Sequence, residues 1–81
     1  MLKVSVISPE ATLFEGEAAS VTAPAFDGEV GILPQHAPMV TVLGTGELRI
    51  GDGTTRFRVE GGFLQVVDDV VRVVTEKASR T

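Results

Sequence analysis

Apolar and polar residues alternate with a period of two along much of this chain. That pattern restricts it to β-structure, because only an extended strand sends successive side chains to opposite faces. Leu2, Val4 and Val6 alternate with Lys3 and Ser5, Leu48 and Ile50 with Glu47 and Arg49, and Phe57 and Val59 with Arg56, Arg58 and Glu60. The stretch from Val70 to Thr75 has the β-branched content of a strand. No segment carries a sustained helical stripe. Turn-forming residues break the pattern at short intervals: Ser8-Pro9-Glu10, Asp27-Gly28, Gly44-Thr45-Gly46, Gly51-Asp52-Gly53 and Gly61-Gly62. Many short strands with frequent turns predict an all-β sandwich or barrel.

Two connections have a definite shape. Only Asp68-Asp69 separates Val67 from Val70, and Asp tolerates positive φ well enough to close a two-residue hairpin there. Between Pro34 and Pro38, both prolines lack the N–H that an interior strand needs, so Pro-Gln-His-Ala-Pro is a shaped loop. Residues 1–77 read as one β-domain, with Ala78 to Thr81 as a polar tail.

Eighty-one residues accommodate one core. A domain of this size buries only roughly 60–65% of the surface its unfolded chain exposes, so partner contacts would add to a modest margin. Two segments offer a surface such a partner would use. In Met39-Val40-Thr41-Val42-Leu43 and Phe63-Leu64-Gln65-Val66-Val67, both alternating faces carry large apolar side chains. Either the loops and edges of the small domain cover the second face, or a docked protein does.

Composition narrows the function. No apolar run reaches the ~20 residues of a membrane-spanning helix. The first residues alternate like a strand and do not read as a signal peptide, which points to the cytosol or an equivalent compartment. There is no cysteine, so disulfide, thiolate and zinc–thiolate chemistry are excluded. The net charge is -4 with seven scattered Lys and Arg, which leaves no basic stripe for nucleic acid or anionic lipid.

Catalytic groups are equally sparse: one histidine, no tyrosine, and carboxylates such as Asp27, Glu29, Asp52, Asp68 and Asp69 in or beside turns, where they serve as turn formers. Gly44-Thr45-Gly46 has no following lysine or helix to hold a phosphate. The lone His36 has no second imidazole with which to share a metal. A biotin or lipoate carrier would need a lysine at a hairpin tip, whereas Lys3 and Lys77 lie near the two ends. An oligonucleotide-binding barrel would need a basic groove around Phe14, Phe26, Phe57 and Phe63. No catalytic residue, metal or cofactor is expected. What remains is a protein-binding β-domain.

The run Phe26-Asp27-Gly28-Glu29-Val30-Gly31-Ile32-Leu33-Pro34-Gln35-His36-Ala37-Pro38-Met39-Val40-Thr41 resembles the signature of the epsilon subunits of F-type ATP synthases, a Gly-Glu-aliphatic-Gly-Ile stretch followed by a proline and His-Ala-Pro. The opening Leu-Lys-Val-Ser-Val-Ile-Ser-Pro-Glu with Phe14-Glu15-Gly16, the segment Gly61-Gly62-Phe63-Leu64-Gln65-Val66, and the closing Val-Arg-Val-Val-Thr-Glu-Lys-Ala agree with it. Gln35 stands where that family commonly has a glycine.

The resemblance implies a flattened two-sheet β-sandwich of about ten short strands. It also implies a non-catalytic rotor subunit of a proton-translocating enzyme, which holds the gamma subunit and rests on the c-ring. Rotation would thereby reach the catalytic head, its indirect partner. The chain would be peripheral on the cytoplasmic face of the inner membrane and attached only through the complex. Carried over by position, Glu29 and His36 fall in loops facing the c-ring, while Ser8, Met39, Val40, Thr41 and Val42 lie near gamma. Most members continue into a two-helix hairpin that latches the enzyme or senses ATP. A chain ending at Thr81 is expected to couple rotation without that switch. The alternative reading is a β-sandwich adaptor of another assembly.

Overall fold

The computed structural model describes residues 1–51, 53 and 55–81. The turn former Asp52 lies outside the described residues. Ten strands follow in order: β1 (Leu2–Ile7), β2 (Thr12–Ala18), β3 (Val21–Ala25), β4 (Gly28–Ile32), β5 (Met39–Val42), β6 (Thr45–Ile50), β7 (Thr55–Glu60), β8 (Phe63–Val67), β9 (Val70–Val74) and β10 (Lys77–Arg80). They form two five-stranded sheets, A in the order β2-β1-β9-β8-β5 and B in the order β10-β7-β6-β3-β4. The predicted class is therefore observed, as a sandwich and not a barrel. Among the described residues every strand pair is antiparallel except β1 with β9, which sets the first strand beside the ninth inside sheet A.

The alternation sets which face is buried. Leu2, Val4 and Val6 of β1 point inward with Leu64, Val66, Val71 and Val73 of β8 and β9, while Leu48, Ile50, Phe57 and Val59 meet them from sheet B. Full burial of each such side chain is worth about 1.5–3 kcal/mol, and the two inner faces together form the single core.

Asp68 and Asp69 take φ 49° and 62°, the doubly positive geometry of a tight hairpin, as the sequence predicts. The Pro34–Pro38 segment is a loop, also as predicted.

Three expectations are corrected. The stretch set apart as a tail, Ala78 to Thr81, contributes most of β10, which pairs with β7 through Ala78↔Val59 and Arg80↔Phe57. The Arg80 guanidinium lies 5.7 Å from the Phe57 ring centroid, so an edge residue that reads as polar caps an apolar side chain. Of the predicted turn Gly44-Thr45-Gly46, only Gly44 is connecting chain, and Thr45 and Gly46 belong to β6. A Cβ at Gly46 would come within 2.9 Å of the Pro24 ring, so that glycine serves packing. Glu29, expected in a loop, lies in β4 opposite Pro24.

Candidate interaction surface

The outward faces of the two sheets differ in chemistry. Sheet B presents Glu29, Glu47, Arg49, Arg56, Arg58, Glu60 and Lys77 to solvent or nearly so. Arg49 faces Arg56 directly across β6 and β7, an unfavourable like-charge pair. Each finds a carboxylate instead: Arg49 Nη2 donates to Glu29 Oε2 at 3.2 Å, and Arg56 Nη1 lies 4.0 Å from Glu47 Oε2. This face is a solvated charge lattice.

Register assembles the outer face of sheet A into rows running across the strands. Ile7 aligns with Val74, Val74 with Phe63, and Phe63 with Val42, which makes an apolar row. The middle row runs Glu15, Ser5, Arg72, Gln65, Val40. Beyond it, Lys3 aligns with Val70 and Val70 with Val67.

One edge of the sandwich continues this surface. β4, the 33–38 loop and β5 form a continuous stretch of chain there, tied at one end by Phe26 N–H donating to the Val42 carbonyl at 3.0 Å and by the Ala25↔Leu43 bridge. Among the described residues, the large apolar side chains left exposed are Met1, Phe26, Leu33, Val40, Val42, Phe63, Val67 and Val70. All but Met1 lie on this edge or on the adjoining face of sheet A.

The residues singled out from sequence distribute unevenly over this surface. Val40 and Val42 point outward, at 67% and 57% exposure, while Met39 and Thr41 alternate inward and are half-buried, with Met39 packed on the core. Thus β5 is two-faced because one face packs on the core and the other is bare. Ser8 is half-buried in the turn after β1, where its backbone N–H and hydroxyl both donate to the Ala11 carbonyl, at 2.8 and 3.2 Å. It sits at the same end of sheet A as Val42 but three strands away, about 14 Å by strand spacing.

His36 and Glu29 belong to the same edge but to its opposite ends. His36 is half-buried in the loop beside the β8–β9 hairpin, with Nδ1 donating to the Ala37 carbonyl at 2.7 Å. Its neighbour Gln35 has φ 68°, and the Gln35 N–H donates to Asp69 Oδ1 at 2.6 Å. The loop therefore keeps the left-handed backbone that favours glycine at this position, with the hairpin carboxylate pinning it. Glu29 lies one residue from the β3–β4 turn, exposed and engaged by Arg49.

The pattern reading missed Phe26 and Leu33 as exposed groups and Val67, Val70 and Arg72 as members of one face. Cross-strand register groups the last three, and no local pattern encodes it.

This geometry defines a class: a small two-sheet β-sandwich with one charged outer face and one mixed face whose apolar rows continue around an edge. The family model for the β-sandwich domain of the ATP synthase delta/epsilon chain matches residues 1–81. The ATP synthase epsilon chain of Leptospira borgpetersenii is 48% identical over 77 residues, covering 93% of this chain and 61% of that protein. That of Desulforamulus reducens is 41% identical over 80 residues, covering 96% of this chain and 61% of that protein. A chain in the Euglena gracilis mitochondrial ATP synthase structure, described as OSCP/F1/c-ring in rotational state 1, superposes with a TM-score of 0.88 at 26% identity, covering 98% of this chain and 52% of that one. A chain of the Tetrahymena thermophila mitochondrial ATP synthase central stalk and c-ring shares the fold, with a TM-score of 0.79 at 20% identity, covering 96% of this chain and 65% of that one. The chain belongs to the ATP synthase delta/epsilon β-sandwich family. It spans about three-fifths (61%) of the length of these curated relatives.

Proposed function

We propose that the chain is a non-catalytic central-stalk subunit of a proton-translocating F-type ATP synthase. It docks on the gamma subunit through the apolar outer face of sheet A and the adjoining β5 edge. The observation that carries this reading is the gathering of seven of the eight exposed large apolar side chains on one continuous surface. Surfaces of that kind are characteristic of protein interaction sites. Family membership supplies the assembly, and the relatives' name and the rotor setting of the similar solved structures support it.

Torque transmission asks only that the domain move as one body. The two sheets are tied at the Val42 end by Leu43 N–H to the Gly62 carbonyl at 2.9 Å and Gly44 N–H to the Pro24 carbonyl at 2.8 Å. These bonds give a force applied to sheet A a path to sheet B. On this reading Ser8, Val40 and Val42 meet gamma directly, and Met39 and Thr41 support the strand from beneath. Glu29 and His36, at the two ends of the β4–loop–β5 edge, offer a carboxylate and an imidazole to the polar loops of the c-ring. On this reading the subunit is held at the membrane by its partners; no helix among the described residues is long and apolar enough to cross a bilayer.

The test is binding of the chain to purified gamma and to the catalytic head from the same organism, with Val42→Asp and Val40→Asp as controls. Val42 is 57% exposed in the free domain. Docking would therefore gain roughly half of the ~1.5–3 kcal/mol that full burial of a valine provides. Aspartate forfeits that gain and adds ~3–5 kcal/mol for a buried unpaired charge. Affinity should fall by about a thousandfold or more, with the fold intact. Tight binding by both variants would place the gamma contact elsewhere. No complex with the wild-type chain would favour an adaptor of another assembly.

A further inference from the structure

We infer that Arg72 is the charged anchor of this docking face and that the partner segment lying on sheet A carries an aspartate or glutamate opposite it. The inference rests on the docking function proposed above and specifies its chemistry. Arg72 occupies the middle row, between Ser5 and Gln65, and apolar side chains flank it on both sides: Val74 and Phe63 in one row, Val70 and Val67 in the other. A partner that covers both apolar rows necessarily covers the guanidinium between them.

Covering that group without a counter-charge would be strongly unfavourable, because desolvation of a cation is repaid only by a close, hydrogen-bonded anion. No described residue of the free domain supplies one. Among the described residues Arg49 and Arg56 have carboxylate partners and Arg72 has none. The carboxylate aligned with it in register is Glu15, two strands away across Ser5 and about 10 Å distant by strand spacing. Glu17 is aligned instead with Lys3, in the neighbouring row.

The surface shape suits an acidic side chain. A shallow hollow of about 430 Å³ is lined by Gln65, Val67, Asp68, Val70 and Arg72. Its two valines receive an apolar stem. The guanidinium fork and the Gln65 amide supply donors for both oxygens of a carboxylate. Asp68 also lines the hollow, at its hairpin end, and among the described residues it makes no ion pair with Arg72. An alkyl-ammonium could not replace this planar two-donor geometry.

The experiment is calorimetric titration of the full chain into purified gamma subunit at about 50 and about 300 mM salt, with Arg72→Gln, Arg72→Lys, Arg72→Glu and Val42→Asp. Arg72→Gln should weaken binding by about thirtyfold or more and flatten its salt dependence, and Arg72→Lys should recover only part of the loss. Arg72→Glu should abolish binding, and a lysine placed at one acidic position of gamma should restore it. Because Arg72 is exposed, thermal melts of all three variants should match the wild type. If wild-type and Arg72→Gln chains bind equally while Val42→Asp does not bind, the docking face stands and the anchor is overturned. If the wild-type chain does not bind, the docking reading itself falls, and the anchor with it.

Discussion

Replacing Gly62 by alanine should destabilise the domain by about 3–5 kcal/mol, whereas the same change at Gly61, one residue earlier, should cost about 1–2 kcal/mol. Both glycines sit in the connection that carries the chain from sheet B to sheet A, and both have positive φ, 73° at Gly61 and 108° at Gly62. Backbone strain alone accounts for about 1–2 kcal/mol at each. Their surroundings then separate them. A Cβ on Gly61 would have its closest contact at 3.6 Å, with the mobile carboxylate end of Glu76.

A Cβ on Gly62 would overlap the Val74 carbonyl oxygen and lie 2.7 Å from Thr75 Cα, both backbone atoms of the neighbouring strand and its extension. Carbon–carbon contacts settle at about 3.5–4.0 Å, so β8 would have to retreat from β9 by roughly 1 Å. That retreat strains the Leu43 N–H to Gly62 carbonyl bond, at 2.9 Å, and the bond from buried Thr75 Oγ1 to the Gly61 carbonyl, at 3.0 Å. Two weakened bonds at about 1–1.5 kcal/mol each bring the total to about 3–5 kcal/mol. A domain of this length has only about 4–12 kcal/mol of stability in all, at 0.05–0.15 kcal/mol per residue. Urea unfolding followed by far-ultraviolet circular dichroism would measure both variants. Equal destabilisation by the two alanines would refute the close-approach reasoning and leave only backbone strain.

Two further perturbations address the site. Asp69→Ala removes both a residue tolerant of positive φ and the acceptor for the Gln35 N–H, so it should cost about 2 kcal/mol, lower Tm by about 8–16 °C and speed amide exchange at Gln35. Asp69→Asn, which keeps both features, should stay near the wild type. The Glu29–Arg49 pair has side-chain exposures of 60% and 40%, so a double-mutant cycle on stability should give a coupling below about 1 kcal/mol that fades in about 1 M salt. A larger coupling would make Glu29 structural and weaken its assignment to the c-ring contact.

Strands such as β1, β7 and β9 are legible in the sequence because each buries one complete face, which leaves a period-two signature in local chemistry. β2, β3, β4 and β10 are not legible in that way. β3 holds Pro24, β4 has two glycines, and β10 is an edge strand of polar residues. β2, β3 and β10 are held by pairing with β1, β6 and β7, which carry the signal, and β4 is held in turn by β3. The Asp68–Asp69 hairpin is local, and the sequence identifies it. The reach of the Asp69 carboxylate to Gln35, thirty-four residues away, is not local and has no trace in either segment alone.

The family signature from Phe26 to Thr41 marks one edge of the sandwich and names residues there, but not their directions. The alternation within β5 makes Val40 and Val42 a surface pair and Met39 and Thr41 an inner one; only the tertiary structure shows that the outer pair stands exposed.

The chain's own sequence thus determines that it folds as short strands around one core and which family it resembles. Local side-chain chemistry decides such properties. The tertiary structure alone decides that Arg72, Phe63, Val67 and Val42 share a face and that Glu29 and His36 stand at opposite ends of an edge. Those neighbours are set by cross-strand register, a relation between distant segments that exists only once the sheets have formed.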